Sequence, residues 1–327
     1  MYPRAEIPSQ AQIGSLIRSL LPILETDVQF LYHVPRYRSY DATQIQATNV
    51  IVSVTPTAGV YSRLRSGTVC FLHRPFLLDR RRVPPGALIL ASHTAFDEVL
   101  TTGYNVPLAA RLGMRLEDAV TIKGYKGNPE RRIGIVGRVA NDFDGIPPLM
   151  KDMDLAKLHV RPRDDVQSVP HSDLCSKIQK EFDGPKEWFR GSEEDCRSHL
   201  VYGRDDIGIL AIMSAFDQDV VGRVNEVKRQ MGWDGWSSWS TLYLTGQPRE
   251  AGLKAADEHQ MCVSCVGHRW AEEWGVRYIA SCIRQEFPGM VVEEVLEEEE
   301  VVKRVRIAKR DAPQEKEAQL RGQKPTA

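Results

Sequence analysis

The chain has 327 residues, with 43 Lys and Arg against 44 Asp and Glu, a formal net charge of -1, 42% hydrophobic and 27% charged residues. At roughly 100–200 residues per domain this length suggests two domains or one large one, and the composition excludes disorder over the whole length. The balanced charge argues against a nucleic-acid binder working through a broad basic field, and no run approaches the roughly 18 apolar residues of a transmembrane helix.

The first ten residues, MYPRAEIPSQ, lack the basic-then-apolar order of a signal peptide. The expected compartment is therefore the cytoplasm, with nucleus or mitochondrion left open, and neither a nucleic-acid nor a membrane partner is expected. Residues 10–24 carry Ile13, Leu16, Ile17, Leu20 and Leu21 on one helical face. Short β-branched or apolar runs predict strands at 49–54, 68–72 and 87–91. Asn105 is placed to cap a helix that starts near Pro107 and ends by Gly113. A further strand is predicted at 132–139. Residues 123–132, KGYKGNPERR, are basic and glycine-rich but lack the P-loop pattern. They are read as a hairpin or turn, with phosphate binding as the alternative.

Residues 151–199 hold Pro162, Pro170 and Pro185 among many charges and read as a loop-rich insertion. Beyond it the pattern predicts strands at 207–213, 242–244, 262–266 and 291–295, and helices at 218–230, 250–259 and 271–287. Strands alternating with helices define an α/β fold: two lobes with mixed sheets around a cleft. The expected divisions are an N-terminal lobe over 1–150, the insertion over 151–199, a C-terminal α/β segment over 200–296 and a charged tail over 297–327. The basic cluster at 303–310 could serve as a nuclear-import signal, but a solvated helix or disordered tail is preferred. Cys262 and Cys265 form a single C-x-x-C in a strand-like run; with no second pair, they are read as buried thiols rather than a metal or redox site. Trp233, Trp236 and Trp239 are read as aromatic packing around a loop, with a partner surface as the alternative.

In α/β sheets ligands bind beyond the carboxyl ends of the strands, and three predicted strands end in metal-binding residue types. One leads to His73, one to His93-Thr94-Ala95-Phe96-Asp97, and one to Gly267-His268 with Glu272 four residues on. If a helix starts near His268, the i,i+4 spacing puts His268 and Glu272 on one face, within reach of one ion. Imidazole with carboxylate suits Zn, Fe or Mn better than Ca or Mg.

These segments together resemble the GTP cyclohydrolase type-two homologue family, the NGG-interacting-factor-three-like dinuclear metal proteins. His73-Arg74-Pro75-Phe76 is similar to that family's His-His-Pro element. Residues 92–114, SHTAFDEVLTTGYNVPLAARLGM, resemble its His-Thr-x-x-Asp segment. Residues 242–280 resemble its Thr-Gly strand end followed by Gly-His-x-x-x-Glu, and GIVGR at 134–138 its glycine-rich strand. The resemblance covers roughly 49–140 and 200–296. It implies metal ligation by His73, Asp97, His268 and Glu272, one or two divalent transition-metal ions, His93 as a group supporting the ligands or moving a proton, and a homo-oligomer.

It also implies metal-assisted hydrolysis of a nucleotide or another phosphorylated small molecule, or a non-catalytic, transcription-linked scaffold that binds a protein partner. Two positions depart from the pattern. Gln247-Pro248-Arg249 stands where a His is often found, and Arg74 replaces the second His of the His-His pair. A guanidinium is not a ligand. Its charge disfavours a second cation by on the order of 4 kcal/mol at ~4 Å and an effective dielectric of ~20. Arg74 is instead suited to hold an anionic group such as phosphate.

Overall fold

The computed structural model describes residues 7–140, 168–184, 186–189, 206–233 and 239–297. In chain order the helices and strands are α1 Gln10–Ser19, β1 Leu31–His33, β2 Val50–Ser53, α2 Ala58–Arg63, β3 Val69–Leu72, β4 Leu88–Ala91, α3 Thr94–Val99, α4 Val106–Arg111, β5 Val120–Tyr125 and β6 Asn128–Arg138. There follow β7 Val169–Pro170, α5 His171–Glu181, β8 Glu187–Phe189, β9 Asp206–Ile207, β10 Ile209–Met213, α6 Gln218–Gln230, β11 Thr241–Thr245, α7 Glu250–Glu258, β12 Met261–Cys265, α8 His268–Glu286 and β13 Val292–Val295.

This is a mixed α/β fold built on two large sheets. The first has the order β1-β4-β3-β2-β13 and the second β5-β6-β10-β11-β12-β8, while β7 and β9 form a small separate pair. In the first sheet β13, β2, β3 and β4 run parallel and β1 is an antiparallel edge. In the second, β10, β11 and β12 run parallel, flanked by antiparallel β6 and β8. The runs VIVS, VCFL and LILA are buried at all four positions, as expected of parallel strands covered on both faces.

Alternation along each strand divides the interior into three cores. Val50, Val52 and Phe71 point into a central core shared with Leu242, Leu244 and the α8 residues Ile279 and Ile283. Their neighbours Ile51 and Cys70 face the other way, toward Val60 of α2. The far face of the second sheet packs Ile209 and Tyr243 against Val220 and Val224 of α6. Helix α8 leaves β12 of the second sheet and leads into β13 of the first, packing on β2 on the way. That single connection brings the carboxyl ends of both parallel strand sets to one place.

Most expected elements are present, with shifted ends. Helix α1 opens with a capping box between Ser9 and Gln12 but stops at Ser19, ahead of Pro22. Helix α8 begins at His268, three residues before the apolar pattern does. The basic stretch 123–132 is a hairpin, as β5 pairs antiparallel with β6. The first arm, β5, was not expected: among its apolar residues Ile122 is buried, while Val120 and Tyr125 are partly exposed.

The larger difference lies in the region read as loop-rich. Its described part contains α5 and β8, and β8 forms the edge of the second sheet. His171, Leu174 and Ile178 supply the buried helical face; surrounding charges hid this short period. Cys262 and Cys265, an odd number of residues apart on β12, belong to cores on opposite faces of the sheet, so both read as buried thiols and cannot share a metal. Trp233 belongs to the core under α6 and Trp239 packs against the central core; Trp236 lies outside the described residues. So do 151–167, 185 and 190–199 of the insertion region and the tail from residue 298. Among the described residues no helix is long and apolar enough to cross a membrane.

Candidate metal centre

His73 follows the last residue of β3 and extends the parallel ladder: its N–H donates to Ser53 O at 3.2 Å, and that of Arg74 to Val54 O at 2.6 Å. The ring is fully buried. It stacks on Phe96 at a centroid distance of 4.3 Å and lies parallel to the His93 ring at 5.0 Å. Its Nδ1 is 3.1 Å from Ser92 O. A donated N–H there fixes the tautomer and turns Nε2 toward the carboxylates, the orientation common to metal-ligating histidines. Nε2 lies 3.2 Å from Glu272 Oε1 and 3.4 Å from Asp97 Oδ1.

His93 and Asp97 come from the turn after β4 and the first turn of α3. His93 Nδ1 is 3.9 Å from Asp97 Oδ2. The donor atoms of His73, His93 and Asp97 all lie within 4.8 Å of one another, a spacing that suits one ion. The turn is held by Asp27. Its Oδ1 accepts from the N–H groups of His93 and Thr94 at 2.8 and 2.9 Å, and its Oδ2 accepts from the Ser92 hydroxyl at 2.7 Å and Ala95 N–H at 3.2 Å. A carboxylate 65 residues away thus caps the helix that carries Asp97. No local pattern around Asp27 announces this role. His93, at the start of α3, makes no cap hydrogen bond, and the local side-chain cap is Ser92 Oγ, which accepts from Phe96 N–H at 3.2 Å.

His268 opens α8 and Glu272 lies one turn further on. Gly267, immediately before it, has φ +85, and a Cβ there would sit 2.7 Å from Trp270 Cδ1, so this tight entry requires glycine. His268 Nε2 is 3.2 Å from Glu272 Oε1, as the i,i+4 spacing predicts. Arg74 occupies both groups. Its Nη2 lies 2.5 Å from Glu272 Oε1 and 2.7 Å from His268 Nε2.

All six residues singled out in the sequence therefore meet in one cluster, in two unlike halves. His73, His93 and Asp97 leave donor atoms facing a common point. His268 and Glu272 face a guanidinium, and Glu272 Oε1 joins the halves.

The charges follow this arrangement. Burial alone would lower the pKa of His73, but hydrogen bonds to Asp97 and Glu272 and their negative charge push it up to about 9. A cation at Nε2 would therefore replace a proton. Burial, helped by the charges of His73 and Arg74, holds His93 below its usual value against the pull of Asp97. Burial would raise the Glu272 carboxyl; hydrogen bonds and charge from His268 and His73 outweigh it and hold that group well below the usual carboxylate range. Two imidazoles and a carboxylate form a borderline-soft donor set matched to Zn, Fe or Mn.

No protein-family model matches the chain, and no curated protein matches it by sequence. Among solved structures, the chain has the fold of reduced HcgD from Methanocaldococcus jannaschii, with a TM-score of 0.52 and 14% identity over 88% of this chain and 97% of that one. The protein ybgI, described as of unknown function, aligns with a TM-score of 0.48 and 13% identity over 88% and 97% of the two chains. A Bacillus cereus protein related to NIF3 aligns with a TM-score of 0.48 and 12% identity over 90% and 99%. At such identities the likeness to HcgD is one of fold alone.

Proposed function

We propose that this chain is a member of the NGG-interacting-factor-three-like metal proteins that holds one divalent transition-metal ion on His73, His93 and Asp97. The supporting observation is convergence: residues far apart in sequence, chosen for their motifs, meet at the carboxyl ends of both sets of parallel strands. In this reading His93 lends Nδ1 to the ion instead of moving a proton. Arg74 takes the place of a second cation, supplying positive charge to Glu272 and His268, which the family pattern would otherwise give to metal. Glu272, engaged by Arg74 and His73, is a bridging acceptor between the halves.

The proposed activity is metal-assisted hydrolysis of a phosphorylated small molecule. A bound ion would supply Lewis-acid activation of water and of a phosphoryl oxygen. The chain's own contribution is to fix the donor set by stacking and capping and to keep Nε2 of His73 in a dry site. The test combines metal analysis with turnover. Purified protein is expected to carry Zn, Fe or Mn, and to lose both the ion and any Mn- or Zn-dependent phosphoester hydrolysis in Asp97→Ala. Metal content equal in wild type and Asp97→Ala would refute the ligand assignment.

A second reading is favoured by the Arg74 contacts: a metal-binding scaffold without turnover, whose degenerate second site serves structure. Retained metal with no hydrolysis under any ion would select it. A cytoplasmic homo-oligomer remains the proposed form.

A further inference from the structure

We propose that the cleft beside the His–Asp group is a phosphate-binding site, taking inorganic phosphate or the phosphate of a monoester. As a substrate subsite it rests on the metal reading above, whereas the binding itself is argued from the chain alone.

The cleft has a volume of about 240 Å³ and lies among the ends of β10 and β11, the start of α8 and the turn after α3; Asp97 and His268 form its wall toward the metal centre. At ~30 Å³ per water it has room for a phosphate and a few waters, and it is smaller than the roughly 300–1,000 Å³ typical of whole-ligand pockets. Arg131 and Arg249 line it, and neither forms an ion pair among the described residues. Asp97 is the one carboxylate among its lining residues.

Two largely buried threonines turn hydroxyls to the cleft. Thr102 and Thr245, 4% and 2% exposed, line the cleft, and neither side chain has a hydrogen-bond partner among the described residues. An acceptor oxygen in the cleft would give both hydroxyls a partner. The backbone adds donors. Helix α8, 19 residues long, starts here without a side-chain cap, so its first N–H groups and its dipole face the space.

Gly246 keeps the approach open. A Cβ at Gly246 would stand 3.7 Å from both Thr102 Oγ1 and His268 Cα, and 3.9 Å from His268 N. That is ordinary contact, so a methyl group fits the fold while filling the cradle. Guanidinium, hydroxyl and helix N–H donors converging on one small space are the chemistry of phosphate recognition. Tyr125, in the cleft wall, also lines the broad groove of about 960 Å³ under the β5–β6 hairpin, which leaves room for the organic part of an ester.

The test is calorimetric titration of inorganic phosphate, and separately of adenosine monophosphate, into the full chain after chelator treatment. The double variant Arg131→Gln/Arg249→Gln and the single variant Gly246→Ala are each expected to weaken binding at least tenfold. Both are expected to keep the wild-type melting profile and the wild-type metal stoichiometry. Tighter binding of the nucleotide than of phosphate assigns the site to monoesters; equal binding assigns it to free phosphate. Absence of binding at millimolar ligand overturns the proposal, as does binding that ignores both variants or that requires added Mn and ignores them. A chain that binds phosphate but no metal defeats the metal reading and leaves this site standing; metal without phosphate does the reverse.

Discussion

The two halves of the centre use the same residue types and differ in what faces them. On the first sheet, His73, His93 and Asp97 are held from behind: by stacking on Phe96, by Ser92 O at His73 Nδ1 and by Asp27 under the α3 turn. Their donor atoms face inward with no guanidinium between them. On α8, His268 and Glu272 have equally suitable spacing, but Arg74 sits on both. A ligand pair is thus defined by the charge opposite it as well as by its own chemistry. One substitution after a strand end is enough to turn half of a two-ion arrangement into an ion pair.

The largest effect expected from breaking this asymmetry is on metal retention. His93→Ala should weaken binding by more than the roughly 10–100-fold typical of supporting residues, whereas His268→Ala should leave it little changed; metal analysis after dialysis reads both. Equal losses would mean that the halves act as one shell.

Next in size is Arg74→His, which removes the built-in cation and adds a donor. It should raise the stoichiometry from one ion per chain to two, read by inductively coupled plasma mass spectrometry against protein concentration. A ratio unchanged in the folded variant would show that Arg74 does not guard the second position.

Asp27→Ala should cost about 1–2 kcal/mol, the range of a lost helix cap, and should weaken metal binding by loosening the turn. Burial tends to raise the Asp27 carboxyl, but hydrogen bonds from His93, Ser92 and Thr94 more than offset it and lower its pKa from 3.8. A lowered folded-state pKa stabilises above the unfolded value and loses that contribution as pH falls through the folded one. The difference in melting temperature between wild type and variant should therefore be constant above about pH 5 and shrink below pH 4. A difference that grows on acidification would contradict the capping role.

The smallest expected effect concerns β12. Burial pushes the Cys265 thiol up to about 12, so peptide mapping after alkylation at pH 8 should find it unmodified in the native chain and modified on unfolding. Metal-protected thiols would instead become reactive on chelation alone.

How much of this was legible in the sequence depended on whether the determining contacts were local. Apolar runs such as VIVS and ILAIM, and the valine spacing of α6, mark their elements because burial repeats with the period of the backbone. The His268–Glu272 pair was legible for the same reason, being one helical turn apart. His73 and Asp97 were visible as polar residues just past strand ends, where an α/β sheet places its ligands.

Asp27 was not legible, because its partners lie 65 to 68 residues away and its segment has no periodicity. Arg74 was visible as a residue, but its simultaneous contact with His268 and Glu272 depends on how α8 crosses between the sheets. Helix α5 was hidden because three buried positions do not stand out among its charges. Thr102 and Thr245 look like ordinary strand and turn residues until the cleft between them is seen.

The most direct measurement is native mass spectrometry of the unsubstituted chain after saturation with Zn or Mn and removal of excess ion. The expected result is a mass increase of one ion per chain. No retained ion, or two held with equal tenacity, would contradict the claim that three donors bind metal while a guanidinium fills the neighbouring place.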